Sequence, residues 1–549
     1  MDIVSSKLNI ENGKLYAYAA SSAKLLPPDG ESSTREDQRR LRQEFRALRR
    51  FHAALRERTE ESAPSGAEEW MLDNFYLIVR EVQNAALMLR TLGTLRSSGG
   101  ETLLFALCRS LLRSGGGRLS EERLQNYLDG FQSVCVLHPS ELDALGVYLR
   151  CAAVSAIGEV CAAMACGESE DAESAQLLGA LFAALRRVGS MDLCALCERV
   201  NVPGMILALD ATGEYVRMDA LTKRDYLQRL EALAARQGVE PQTLARTLAE
   251  SSGREGVHIG QLLYAGNGAN RAELYLAARG ALCAALTLLI GYRLGIFAAL
   301  VLLLPLSETV TELCDFLLGR FVRPRRLPRM DMHSGIPPEG RTVCVISTLL
   351  VSAEAARQGA KKLERLYHAC GGVRSGGALC FGLLADLPAA DRETLEGDAA
   401  ILAAAQKEIE ELNARYGGGF CLFTRARSFD GERFSGYERK RGALCALARF
   451  MAGQKSALTC SGDAQRARGA HFILTVDSDT ELYPGAAEEL IGAALHPLNR
   501  AVTDAERAAV VHGHAVIQPR VSITLESAIR TDFSLKKRVD ELKGLIRNN

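Results

Sequence analysis

Apolar positions recur three and four residues apart from Thr34 to about Arg271, as in EWMLDNFYLIVREVQNAALMLRTL (69–92) and LLGALFAALRRVGSMDLCALCERV (177–200). That spacing lays one apolar stripe along a helix. Short Gly- and Ser-rich breaks, SSGGE at 97–101 and SGGGRLS at 114–120, separate the stretches. Ser120-Glu-Glu-Arg and Thr222-Lys-Arg-Asp read as helix starts. The pattern predicts an all-α domain over 35–271 with eight to ten helices, without a solenoid repeat. Residues 1–34 are polar and punctuated by Pro27-Pro28-Asp29-Gly30, and predict a flexible leader.

The pattern then changes. Gly280 to Leu306 is almost wholly apolar, with one charge at Arg293. A spanning helix needs about 20 apolar residues. A single span would put Arg293 near mid-membrane, at a cost of about 2.5–3.5 kcal/mol. A hairpin over 272–319, turning at Gly291–Gly295, avoids that cost and is the preferred reading. Glu308, Glu312 and Asp315 in its second arm must then face protein or the interface. A hairpin buried in a soluble core is the alternative. RFVRPRRLPR follows, with five arginines between Arg320 and Arg329 and no acid. A basic linker over 320–340 marks the cytoplasmic side of a span and can touch anionic head groups.

From Arg341 onward strand and helix alternate. The expected strands are 342–351, 378–387, 419–427 and 471–480, with helices at 353–370, 398–416 and 440–453. A βαβαβαβ order predicts a doubly wound sheet with its sites at the carboxyl ends of the strands.

Composition narrows the class without choosing the chemistry. The 549 residues carry 66 Lys+Arg and 66 Asp+Glu, so no net basic field draws the chain to nucleic acid. A mean hydropathy of zero fits a mostly soluble chain with a small membrane part. The fifteen cysteines lie singly, apart from the Cys194/Cys197 CxxC pair, mostly in apolar helical context. They read as buried reduced thiols, because no second ligand pair completes a zinc site. With no basic-plus-apolar leader, the soluble parts are expected in a reducing cytoplasm.

Three features gather at one end of the expected sheet. Asp477-Ser478-Asp479 directly follows ILTV, so a buried strand delivers two carboxylates one residue apart. Mg²⁺ or Mn²⁺ takes such oxygens and leaves positions for phosphate. The pair serves equally as an acidic strand exit or helix cap. Asp386 ends LLAD and can accept hydrogen bonds from a base or ribose, or is an ordinary loop acid. GYERKRGAL (436–444) places Arg439, Lys440 and Arg441 before Gly442, where a helix begins. That arrangement suits a pyrophosphate, or is a solvated basic loop.

The blocks VISTLL (345–350), LLAD (383–386), GYERKRGALCAL (436–447), LTVDSDTELYPGAAEELIGAALHPLNRA (474–501) and IQPRVSITLESA (517–528) resemble the cyclic β-1,2-glucan synthases. These are large bacterial membrane proteins with a glycosyltransferase family 84 core. WMLDNFYLI (70–78) and RRLPRMDMHSGIP (325–337) extend the resemblance across about residues 35–530. The ERKRG and HPLNR blocks are its specific part.

The resemblance implies a Rossmann-like glycosyltransferase A domain over 341–530 and an inverting glucosyltransferase. UDP-glucose is the implied donor and a growing β-1,2-glucan the acceptor, at the bacterial inner membrane with the soluble domains facing the cytoplasm. It places Asp477 and Asp479 on the divalent metal and diphosphate, Asp386 near the nucleoside, and Arg439 and Lys440 near the donor. Gly442, His496, Asn499, Arg500, Gln518 and Arg520 fall in matching blocks without assigned roles. His496 reads equally as a satisfied structural histidine.

Two departures are mild: Ser347 stands where the family has proline, and Ser478 where it has alanine. A larger one follows residue 530, where 531–549 reads as a divergent polar helix. The 70 residues after Asp479 offer no convincing general base, since Asp532 and Asp540 lie in that tail. The chain is therefore expected to be an incomplete, truncated transferase. A non-catalytic membrane-anchored scaffold and another processive membrane polysaccharide synthase are the competing readings.

Overall fold

The computed structural model describes residues 10–60, 62–168, 170–265, 271–322, 326–372 and 376–522. The 531–549 tail, with Asp532 and Asp540, lies outside the described residues. The chain forms two compact units: Met1–Val216 with Lys223–Leu263, and Arg217–Thr222 with Tyr264–Asn549.

The first unit is a helical bundle. Its axis is the helix Pro139–Cys166, apolar nearly all round and buried against its neighbours. That helix is also long and apolar enough to cross a membrane, but 61% of its apolar window is inside this core. Its apolar surface is therefore already covered by protein.

Three expectations for this unit are corrected. Residues 12–25 form a helix (Asn12–Leu25) instead of a flexible leader. Leu15 and Ala19 are fully buried, and the backbone of Tyr16 lies against Gly130 so closely that a Cβ there would come within 2.4 Å of Tyr16 O. The low apolar content of 1–34 concealed a narrow stripe of small residues. The unit is also not all-α. Gly30–Ser33, Thr94–Ser98 and Glu101–Thr102 form a three-stranded antiparallel sheet. The SSGGE break is its hairpin turn: Gly99 and Gly100 have φ of 60° and 80°, as a two-residue mirror-image turn requires. Lastly, eleven α-helices are described between Thr34 and Tyr264, above the expected eight to ten.

All fifteen cysteines are free thiols. Burial pushes the Cys197 thiol up to about 12, in keeping with an inert member of the CxxC pair.

In the second unit, α1 (Arg271–Leu294) and α2 (Ile296–Phe321) form a helical hairpin that turns at Gly295, φ 90°. Both arms are long and apolar enough to cross a membrane. Leu288, Phe297, Leu300 and Leu304 on them are exposed. Near the open end Tyr275 Oη donates to Asp315 Oδ1 at 2.5 Å, so this acid faces protein as expected.

The α/β part is a five-stranded sheet: β1 (Thr342–Leu349), β2 (Leu379–Asp386), β3 (Phe420–Arg425), β4 (Leu458–Gly462) and β5 (Phe472–Asp477). The order is β5-β1-β2-β3-β4, all parallel except β4, which runs antiparallel to β3. The β4 segment was not expected as a strand. Its SALTCSG sequence is too short and mixed to show a period.

Alternate residues of each strand serve opposite faces. Val343, Val345, Cys380, Cys421 and Phe423 pack on Ala443, Leu447 and Phe450 of α5 (Arg439–Met451). On the other face, Tyr367 of α3 (Ala353–Ala369) meets Phe381 and Phe420, each at 5.4 Å between ring centres. Tyr416 of α4 (Asp398–Tyr416) meets Phe420 at 5.8 Å. Helices therefore cover both faces of a mostly parallel sheet. The start of α5 also differs from the expectation: it begins at Arg439, so Arg439, Lys440 and Arg441 form its first turn instead of preceding it.

Candidate functional site

Parallel strands send their carboxyl ends to one edge, and the chain order reverses beside β1: β2 and β3 lie on one side of it and β5 on the other. Such a switch point opens a crevice between diverging loops. Asp477 ends β5 there, opposite Ser347 of β1, and Asp386 ends β2 opposite Leu349. The buried Ser347 Oγ has no hydrogen-bond partner in the structure.

Asp386 and Arg425, the last residues of β2 and β3, form a two-pronged ion pair. Arg425 Nε donates to Oδ1 and Nη2 to Oδ2, both at 2.7 Å. The same guanidinium donates from Nη1 to Tyr437 O at 2.7 Å and from Nη2 to Arg439 O at 2.5 Å. Each Asp386 oxygen keeps a lone pair for a hydroxyl or amide donor. Arg425 was not singled out from the sequence. The signal was available: a cation ending a strand of four apolar residues must find an anion beside it.

The loop into α5 is unusual. Glu438 and Arg439 have φ of 50° and 46°, in the left-handed region that non-glycine residues rarely enter. Gly442 has no room for a side chain, because a Cβ would lie 2.1 Å from Tyr437 O. Lys440 Nζ forms an ion pair with Asp477 Oδ1, joining this loop to the end of β5. Three cations in a first helical turn oppose the helix dipole unless anions stand before them. Asp477 supplies one, and both partners remain solvent-accessible.

Asp479 is exposed, with Thr480 Oγ1 at 3.4 Å from Oδ1. The loop after it is tethered to α3: Lys362 Nζ donates to Ser478 O at 2.6 Å, and Arg365 pairs with Glu481 at 3.7 Å. Among the described residues no group of three or more metal-binding side chains exists. Asp477 and Asp479 are two carboxylates. Magnesium-type sites commonly use one or two, with substrate phosphates completing the shell, so the pair fits such an ion.

The HPLNR block lies elsewhere and does structural work. His496 is fully buried, and its Nδ1 accepts from Leu498 N at 3.2 Å. Asn499, 3% exposed, donates from Nδ2 to Pro328 O at 2.7 Å and to Ala493 O at 2.8 Å. Arg500 Nε donates to Leu495 O at 3.0 Å. Together they close the end of α6 (Ala486–Leu495) and pin the chain entering the sheet. Met330 N donates to Gly492 O at 3.0 Å, and a Cβ on Gly492 would lie 2.4 Å from Met330 O. Gln518 and Arg520 are exposed in irregular chain after the hairpin Val502–Asp504/Ala509–His512.

A cavity of about 530 Å³ lies against this brace, lined by Arg329–His333, Ile336, the end of α3 and the start of α6. It lies at the carboxyl end of α3, where Gly485 N reaches Ala369 O at 3.4 Å, whereas the start of that helix follows the carboxyl end of β1.

No family model matches the chain. Over 248 residues the chain is 31% identical to "Cyclic beta-(1,2)-glucan synthase NdvB" of Rhizobium meliloti (strain 1021). The match covers 43% of this chain and 9% of that protein, so it spans less than a tenth of the relative's length. The resemblance read from the sequence blocks is thus borne out: a cyclic β-(1,2)-glucan synthase is a homologue of this chain.

Proposed function

We propose that this chain carries the donor site of a membrane-anchored glucosyltransferase that uses UDP-glucose to extend a β-1,2-glucan. The observation that carries the reading is the meeting of Asp477 with Lys440 at the switch point of the sheet, beside Asp386. Acids and cations of two loops converge at the carboxyl edge of the sheet, which supports reading that edge as the nucleotide site of a glycosyltransferase A domain. The named relative supports the glucan as product.

In this reading Asp386 accepts from the nucleoside, while Arg439 and Lys440 face the diphosphate. Asp477 and Asp479 hold Mg²⁺ or Mn²⁺, which supplies charge neutralisation for the UDP leaving group when bound. Lys440 then exchanges its Asp477 partner for a phosphate oxygen, and the first turn of α5 gains the anion its three cations call for. An acceptor 2-hydroxyl attacks the anomeric carbon from the face opposite UDP, inverting it. The hairpin α1–α2 lies in the bacterial inner membrane, with the α/β unit at the cytoplasmic surface, where the basic linker meets anionic lipid.

The test is calorimetry of UDP and UDP-glucose on the detergent-purified chain, with Mn²⁺ and with chelator. Saturable binding that needs the metal and is abolished by Asp479→Ala is expected. Binding unchanged in that variant rejects the metal assignment. No binding by the unsubstituted chain in either condition favours a membrane-anchored scaffold.

A further inference from the structure

We infer that Arg425 is the positioning residue of the donor site: it clamps the strained entry of α5 so that Lys440 meets Asp477, and it thereby sets the affinity for a nucleoside diphosphate. The inference rests on the reading of this edge as a donor site. It adds a residue and a role to it.

Four donor bonds of one guanidinium define the clamp. Two go to Asp386 and fix the plane of the fork at the end of β2. The other two go to the carbonyls of Tyr437 and Arg439, which flank Glu438. Glu438 and Arg439 both hold positive φ. A left-handed conformation is strained for a non-glycine residue, so two in succession persist only where surrounding contacts over-determine them. The carbonyl bonds from Arg425 are those contacts. Gly436 completes the fit: a Cβ there would lie 2.6 Å from Asp386 Oδ2 and 2.8 Å from Arg425 Nη2, so the loop backbone lies directly on the ion pair. Lys440 comes one residue after the clamped carbonyl and pairs with Asp477. The Arg425 guanidinium is nearly buried, whereas the Lys440–Asp477 pair is solvent-accessible. The fixed part and the exchangeable part are therefore separate.

A lysine cannot reproduce the clamp, because an ammonium lacks the planar fork that serves a carboxylate and two carbonyls at once. The fold also contains its own control. Arg427, two residues on, makes the same kind of clamp with Asp398 (2.5 and 3.0 Å), Pro388 O (2.7 Å) and Glu393 O (3.0 Å). Its carbonyl partners, Pro388 and Glu393, lie in the loop that follows Asp386 and not in the loop that carries Lys440.

The experiment is a double-mutant cycle on the full chain, reading UDP affinity with Mn²⁺ by calorimetry and folding by thermal melting. Arg425→Lys is expected to weaken UDP about tenfold when Lys440 is present, and less than about twofold in a Lys440→Ala background, the non-additivity of residues acting through one another. Arg427→Lys is expected to lower the melting temperature comparably and leave UDP affinity unchanged. Additive losses in the cycle, an equal affinity loss in Arg427→Lys, or unaltered affinity in Arg425→Lys each overturn the inference. If Arg425→Lys shows no folding transition, the cycle is run with Gly436→Ala, whose methyl presses on the Asp386–Arg425 pair and loosens the clamp without removing a group that meets the nucleotide, under the same criterion. Failure of the underlying reading is distinguishable, because it shows in the unsubstituted chain as no metal-dependent UDP binding, and it overturns the inference with it.

Discussion

Asn499→Ala separates bracing from binding. Asn499 is 3% exposed and donates both amide hydrogens to backbone carbonyls, at 2.7 Å to Pro328 and 2.8 Å to Ala493. Truncation removes both donors and leaves the carbonyls behind, that of Ala493 buried and that of Pro328 partly buried. Ala493 O still receives His496 N at 3.3 Å, so its loss is that of an ordinary hydrogen bond, about 0.5–1.5 kcal/mol. Pro328 O loses a buried partner, which costs about 1–3 kcal/mol. The sum is about 1.5–4.5 kcal/mol. At about 2–4 °C per kcal/mol for a domain of this size, the α/β transition falls by about 3–18 °C. Differential scanning calorimetry reads the shift, and calorimetric titration reads UDP affinity on the same sample below the transition. Asn499→Asp is expected to destabilise at least as much, because a carboxylate puts lone pairs against both carbonyls. An Asn499→Ala chain that melts like the unsubstituted one but loses UDP binding refutes the reasoning, and makes the HPLNR block part of the donor site.

Other expectations follow from particular contacts. His138 lies between Glu231 (3.6 Å) and Glu240 (3.1 Å); burial works against its charged form, but the carboxylates outweigh it and raise its pKa. Its contribution is therefore complete below the unfolded value of about 6.5 and lost as pH rises through the higher folded value. Melting temperature measured across that range should show this loss, and His138→Gln should flatten it; an identical profile in the variant removes His138 as the cause. Gly130→Ala drives a methyl against Tyr16 O, at 2.4 Å from an unrelaxed backbone, and should cost about 1–3 kcal/mol. Faster proteolysis within residues 12–25 is the expected readout, and unchanged cleavage would mean that this helix does not depend on the contact. Leu300→Arg on the exposed face of α2 adds about 2.5–3.5 kcal/mol to membrane insertion if it lies at mid-span, and should lower the fraction resisting alkaline extraction. Full retention would show that protein, not lipid, covers that face.

The sequence by itself determined the features that depend on local periodicity and contiguity. Helical spacing from 69 to 92, the apolar run 280–306 interrupted at Arg293 and the β-branched run 342–351 each imply their element, because side-chain direction repeats every 3.6 or 2 residues whatever the surroundings. Asp386 was legible for the same reason: an acid ending a buried strand has only the sheet edge to occupy. The strand ending in Asp477 was legible from its apolar run, but it lies at the edge of the sheet with only Val476 buried, where burial was expected.

Tertiary structure decided what depends on partners distant in sequence. The helix at 12–25 exists as a packed element because Gly130 lets it approach, and β4 because β3 offers an edge to pair with. No local period announces either. The HPLNR block has the polar appearance of a ligand site, yet Asn499 satisfies a carbonyl 171 residues upstream. Arg425 became visible only when β2 and β3 were laid side by side, bringing Asp386 and two loop carbonyls within reach of one guanidinium. Hydrogen bonds and ion pairs require distances of about 3 Å, and chain order carries no distance between residues that folding alone brings together.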